Sequence, residues 1–386
     1  MPRAALEVAD LLRTLLRQKQ LPVVSSAQAK VVKDLLACRT ATLGGHVEVC
    51  EGCGYEAISY NSCRNRHCPK CQGAATAAWL EAQQHIVLPV SYAHVVFTLP
   101  DLLAPLALQN PQVIYGLLFR AVSQTLLQVA ATPRHLGARI GFLAVLHTWG
   151  QNLLHHPHVH CVVPAGGVAF DGSRWVRCRP GFFLPVRVLS RLFRGKLLAF
   201  LAEAYRAGTL QFHGRLVDLQ NPRAFRSLLA DARSLEWVVY AKPPFGGPDA
   251  VLKYLARYTH RIAISNQRLL NATDDHVSFR WKDYRHGHRS RVMTLEIAEF
   301  ARRFLLHVLP PRFVKIRYYG LLAQSQRSST LPQCRELLDA PPNVNVTTSE
   351  NGEGETNERE SEPITCPNCQ HGRLVYFRAL PPADSS

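Results

Sequence analysis

A chain of 386 residues has room for two or three domains, and 47% hydrophobic residues are enough for a sizeable core. A net charge of +17 sets up a field directed at phosphate, as expected of a nucleic-acid protein. No apolar run approaches the roughly 18 residues that span a bilayer. Glu7, Asp10 and Arg13 interrupt the segment where a signal peptide would be apolar, so a soluble cytoplasmic protein, nucleoid-associated when bound to DNA, is expected rather than a membrane protein.

Residues 6 to 19 and 26 to 37 have helical periodicity. A cysteine module follows, with Gly44, Gly45, Gly52 and Gly54 at tight turns. Cys50-x2-Cys53 and Cys68-x2-Cys71 each present two thiolates, and together they predict one closed, tetrahedral structural Zn²⁺ site. Cys63, His46 and His67 are left over, to support a second zinc or to replace one of the four ligands. WLEAQQHIVLP continues as a helix, and the small zinc-binding domain is placed at residues 1–90.

YAHVVFTLP then reads as a strand that opens a larger domain, residues 91–325. Residues 111 to 130 form an amphipathic helix. IGFLAVLHTW reads as a strand, followed by the turn GQNLLH and a second strand-like run, HPHVHCVV. Side chains alternate along a strand, so His158 and His160 face the same side. If the two runs pair antiparallel, His147 falls opposite His158, and three imidazoles converge as a divalent-metal site. Gln151, His155 and His156 compete with His147 for the third place, the last two as solvent-exposed turn residues. Residues 187 to 206 and 222 to 232 read as helices, EWVVYAKPP as a strand, and the mixture implies an α+β fold with an antiparallel sheet.

KPPFGGP breaks structure, and Asp249 is a good N-cap for a helix over residues 249 to 265. On that helix Tyr254 and Tyr258 share one face at i, i+4, and Lys253, Arg257 and Arg261 line the adjoining one. A phenol flanked by cations, with a histidine-held metal, has the parts for covalent phosphoryl transfer. Next, VSFRWKDYRHGHRSRVMTL interleaves Arg280, Lys282, Arg285, Arg289 and Arg291 with Trp281 and Tyr284, cations to follow a DNA backbone and rings to stack on bases.

HPHVHCVV followed by YLARYTHRIAIS resembles the two-tyrosine HUH-type rolling-circle transposases of bacterial insertion sequences and common-region elements. CRNRHCPKCQ is similar to that family's zinc-binding domain, and the resemblance covers roughly residues 10 to 320. It implies an antiparallel-sheet HUH endonuclease domain in which His158 and His160 bind a catalytic Mg²⁺ or Mn²⁺. Tyr254 and Tyr258 would nick single-stranded element ends and join them to target DNA through a 5′-phosphotyrosine. A plasmid replication initiator or relaxase would share this chemistry, whereas a non-catalytic zinc-dependent DNA-binding protein would not.

Residues 326–386 read as a tail. Residues 341 to 363 are polar and acidic and predict a disordered linker. Cys366-x2-Cys369 supplies half a zinc site, to be completed by Cys334, His371 or another segment.

Overall fold

The structure is a computed structural model that describes residues 6–22, 25–247, 250–252, 256, 262–283, 287, 289–339 and 365–383. The acidic linker expected at residues 341 to 363 lies outside them.

Its centre is an antiparallel sheet of five strands, β3 (Tyr92–Thr98), β5 (Gly141–Trp149), β6 (His155–Pro164), β9 (Val239–Phe245) and β13 (Ile316–Gly320), in the order β13-β5-β6-β3-β9. The strands carry apolar residues at consecutive positions because both sheet faces are covered. On one face Ala93, Val95, Phe97, Phe142, Ala144, Leu146, Val159, Cys161 and Val163 are buried in the main core. Helices α4 (Ala104–Gln109), α5 (Pro111–Ala131) and α6 (Val186–Arg206) pack there, with α7 (Pro222–Ser234) beyond them. Contrary to the expectation from apolar runs, α5 is long and apolar enough to cross a membrane by length and composition. In the fold its Leu118, Phe119, Val122 and Leu126 are fully covered by protein.

The other face carries the histidines, together with Tyr92, Leu143, Val145 and Val162, which form a smaller cluster with the fully buried Val251. At the far end of the β5–β6 pair, Trp149 and Leu153 join a third cluster that includes Ala263 and Ile264.

That third cluster crosses the expected boundary at residue 90. Helices α1 (Val8–Arg17) and α2 (Ser26–Ala37) share it with the sheet β10 (Leu269–Ala272), β11 (His276–Asp283) and β12 (Arg289–Glu296), and with the helix Ile297–Leu305. Polar contacts tie the same surfaces: Gln28 Nε2 donates to the Leu305 carbonyl at 3.0 Å, and Arg66 Nη1 to that of Phe313 at 2.6 Å. The tail is not wholly separate either. Strand β14 (Leu374–Leu380) pairs with β1 (Gly45–Cys50), which pairs in turn with β2 (Glu56–Tyr60).

Candidate active site

Strands β5 and β6 pair so that His147 lies opposite His158, the register expected from sequence. A tight turn at residues 150–154 sets it: Gly150 N–H donates to the Leu154 carbonyl, Leu153 holds a φ of 63°, and Arg268 Nη2 donates to the Gln151 carbonyl at 2.6 Å. One ligand nitrogen from each of His147, His158 and His160 lies within 4.8 Å of the others. His147 stacks on Trp149 at 4.7 Å between ring centroids, and its ring lies 4.4 Å from that of His160. Three convergent imidazoles have the donor set to hold one divalent ion.

The partners of these rings select the nitrogen that would bind. His158 Nδ1 donates to the His156 carbonyl at 2.7 Å, which places the lone pair at Nε2. His160 Nδ1 bonds His94 Nε2 at 2.8 Å, with the two rings stacked 5.0 Å apart. His94 comes from β3, the third strand of the same face. Burial pulls its imidazole down to about 4, with Lys242 and His158 adding to the effect, so it is a neutral partner at physiological pH. Sequence reasoning read YAHVVFTLP as a strand and still missed His94, although its alternation with Tyr92 placed it on a face of its own strand.

His155 and His156 are not turn residues as expected. Both belong to β6, because strand pairing extends to Trp149 opposite His155. His155 Nε2 bonds the Tyr115 hydroxyl at 2.8 Å and is pulled to about 4 by burial, with His156 contributing; His156 faces Asp101 at 3.3 Å. Neither joins the three-histidine group. Tyr254, Tyr258, Lys253, Arg257 and Arg261 lie outside the described residues, as do Tyr284 and Arg285.

β11 and β12, which carry the interleaved cations and rings, pair antiparallel. Arg280, Lys282 and Arg289 are exposed, while Arg291 pairs with the buried Asp283 at 3.3 Å. Trp281 does not project as a stacking platform: it shares the parity of Val277 and Phe279 and packs against the cluster they anchor.

The cysteines correct the single-site expectation. Cys68 and Cys71 join Cys38 and Cys63, whereas Cys50 and Cys53 join Cys366 and Cys369. The β1–β2 hairpin carries the first knuckle away from the second, and Cys38, at the end of α2, fills the vacated place. Within the first group Sγ separations of 3.5 Å (Cys38 to Cys71), 3.6 Å (Cys63 to Cys71) and 3.6 Å (Cys68 to Cys38) approach the edge of about 3.8 Å in a tetrahedron with Zn–S bonds of about 2.3 Å. His67 is outside the group: its Nε2 accepts from Leu309 N–H at 3.4 Å, and burial holds it near 3, with Lys315, Arg66 and His307 adding. His46 instead lies beside Tyr376, its ring tilted, with 6.0 Å between centroids. Cys334 packs in an apolar cluster with Leu321 and Leu331, apart from both groups.

The class defined by this fold is an antiparallel-sheet HUH-type α+β protein joined to a cysteine-rich module. Residues 10–99 match the family described as "Transposase zinc-binding domain", and residues 141–329 the family described as "Putative transposase". The chain is 53% identical over 382 residues to "Putative transposase y4qJ" of Sinorhizobium fredii (strain NBRC 101917 / NGR234), covering 97% of this chain and 96% of that one. It is 29% identical over 314 residues to the transposase for insertion sequence element IS801 of Pseudomonas savastanoi pv. phaseolicola, covering 81% and 74%. Among solved structures, the metal-free complex of conjugative relaxase TrwC with oriT DNA matches at 16% identity and a TM-score of 0.24, over 42% of this chain and 70% of that chain. The chain belongs to the two-tyrosine, HUH-type rolling-circle transposase family of bacterial insertion sequences, with an N-terminal transposase zinc-binding domain.

Proposed function

We propose that the protein nicks single-stranded DNA at the ends of its element in the cytoplasm and passes the strand to target DNA through a 5′-phosphotyrosine. His147, His158 and His160 would hold the divalent ion, with Tyr254 and Tyr258 as nucleophiles. The observation that carries this reading is shared packing. Val251 belongs to one buried cluster with Val145 and Val162 of the β5–β6 pair, and Ala263 and Ile264 belong to the cluster that takes in Trp149 and Leu153 at the end of that pair. In sequence, both tyrosines lie between residues that share buried clusters with the β5–β6 pair, which bears the imidazoles.

A bound Mg²⁺ or Mn²⁺ would polarise the scissile phosphate and offset charge on the departing 3′ oxygen. The chain's own residues do the rest. One tyrosine oxygen attacks phosphorus in line, the P–O3′ bond breaks, and the 5′ phosphate stays on the tyrosine while a 3′-OH is released. Two tyrosines allow each 5′ end to be held in turn, so that the 3′-OH freed by one cleavage attacks the other linkage. His94 positions His160, and the His156 carbonyl positions His158. Lys253, Arg257 and Arg261 would offset charge on the non-bridging oxygens. Arg280, Lys282, Arg285 and Arg289 would hold the strand backbone.

Incubating the purified protein with Mg²⁺ or Mn²⁺ and single-stranded DNA from its element ends should give a covalent adduct on the 5′ side; no adduct under those conditions sinks the reading. The double change Tyr254→Phe and Tyr258→Phe should abolish the adduct and leave DNA binding intact. An adduct that survives it would assign the nucleophile elsewhere.

A further inference from the structure

Cys50 and Cys53 approach Cys366 and Cys369 across most of the sequence. Sγ of Cys50 lies 3.7 Å from that of Cys369, and Sγ of Cys53 lies 3.8 Å from that of Cys366. A disulfide would need about 2.05 Å, whereas a tetrahedral zinc tetrathiolate needs S–S edges of about 3.8 Å.

The two knuckles have the same backbone design. Cys50 N–H donates to the Tyr55 carbonyl at 2.9 Å, and Gly54 N–H donates back to the Cys50 carbonyl at 2.9 Å. In the second knuckle Cys366 N–H donates to the Gly372 carbonyl at 2.8 Å, and Gln370 N–H donates back to the Cys366 carbonyl at 2.9 Å. The residue after the second cysteine is left-handed in both, with φ of 70° at Gly54 and 63° at Gln370. Backbone amides are aimed at sulfur, Gly52 N–H at Cys50 Sγ (3.4 Å) and Gly372 N–H at Cys369 Sγ (3.2 Å), which favours the thiolate form. Asn368 Nδ2 adds a third donor, to Cys53 Sγ at 3.6 Å. A Cβ on Gly372 would fall on Cys50 Sγ, so the close approach requires glycine there.

The strands beside this group lack the means to hold themselves. Five of the seven β14 residues are exposed, with Tyr376 at 65% and Phe377 at 60%, and β2 alternates exposed and half-buried positions. A three-stranded sheet with so little buried apolar surface needs a staple.

We propose that Cys50, Cys53, Cys366 and Cys369 bind one zinc ion as a tetrathiolate, a second site distinct from that of Cys38, Cys63, Cys68 and Cys71. Binding replaces four S–H protons, released to solvent, with four Zn–S bonds. The ion clasps β14 to β1 and makes the C-terminal knuckle part of the zinc-binding module.

Zinc content of the full chain, measured by inductively coupled plasma mass spectrometry, tests this. The pair Cys366→Ser and Cys369→Ser should lose one zinc per chain relative to wild type, as should the pair Cys50→Ser and Cys53→Ser. The fourfold variant should also lose one and not two. Unchanged zinc in the Cys366/Cys369 pair, or additive loss in the fourfold variant, overturns the proposal. Should the variants fail to fold, wild-type protein suffices. Alkylation of the solvent-exposed Cys53, read by peptide mass spectrometry, should be at least tenfold slower before chelation than after. Equal rates, or a disulfide among these four cysteines, also overturn it.

Discussion

His147 and His158 face each other across one tight turn, whereas Cys50 and Cys369 are 319 residues apart in sequence. Both groups bring metal-ligating atoms together, and the routes have different physical consequences. The histidines are fixed by a ladder of backbone hydrogen bonds between two well-buried strands, so the ladder sets their geometry without an ion. The cysteine groups draw their ligands from segments far apart in sequence, and that of Cys50, Cys53, Cys366 and Cys369 sits where apolar burial is thin, so a bound ion there would be part of the folding energy. A preorganised centre gives up activity when its ligands are removed, and an ion-dependent one gives up structure.

The largest effect should separate the two at once. Cys68→Ser with Cys71→Ser should remove several kcal/mol and release α1 and α2 from their packing, seen as loss of a cooperative thermal transition. A variant that melts like wild type would break the comparison. His158→Ala with His160→Ala should instead keep a folded sheet and slow strand cleavage by at least about 10²–10³-fold, measured in a single-turnover nicking assay. His94→Ala sharpens the point within the histidine centre. Losing the partner of His160 Nδ1 should weaken metal binding by about 10–100-fold, read by titration calorimetry, with His94→Gln recovering part of it.

The smallest effect concerns the ground beneath the centre. His307 bonds Thr148 Oγ1 at 3.2 Å and the Leu153 carbonyl at 3.0 Å, and burial holds it near 3, with the Leu153 carbonyl opposing and His155 adding to the depression. In the unfolded chain it takes up a proton below about 6.5 that the fold refuses until near 3, so the unfolded state binds more protons between these values. Its contribution is fully present above about pH 6.5 and is lost as pH falls toward 3. His307→Gln should flatten that decline by about 1–2 kcal/mol at pH 5 in urea melts. An unchanged slope would remove His307 from the account.

How much of this was legible in the sequence follows from the same contrast. The two-strand register of His147 and His158 could be read because alternation and one turn decide it locally. The five-stranded order could not, since it depends on which faces of β3, β9 and β13 are covered, and His94 was lost with it. The assignment of His155 and His156 to a turn failed because Pro157 and the polar run concealed an extension of the ladder to Trp149. Two Cys-x2-Cys knuckles close together in sequence read as one site, yet a hairpin sends them apart. Cys38 follows a helix with no motif around it, and nothing local marks it as a ligand.

The pairing of β1 with β14 has a consequence for synthesis. Strand β1 leaves the ribosome well ahead of its second neighbour, β14, from which most of the sequence separates it. At about 5–20 residues per second, one edge of the sheet waits tens of seconds with open backbone hydrogen-bonding groups. During that interval a nascent chain on a neighbouring ribosome offers a rival strand with the same sequence, so finishing each chain quickly and keeping translation sparse both favour the correct pairing.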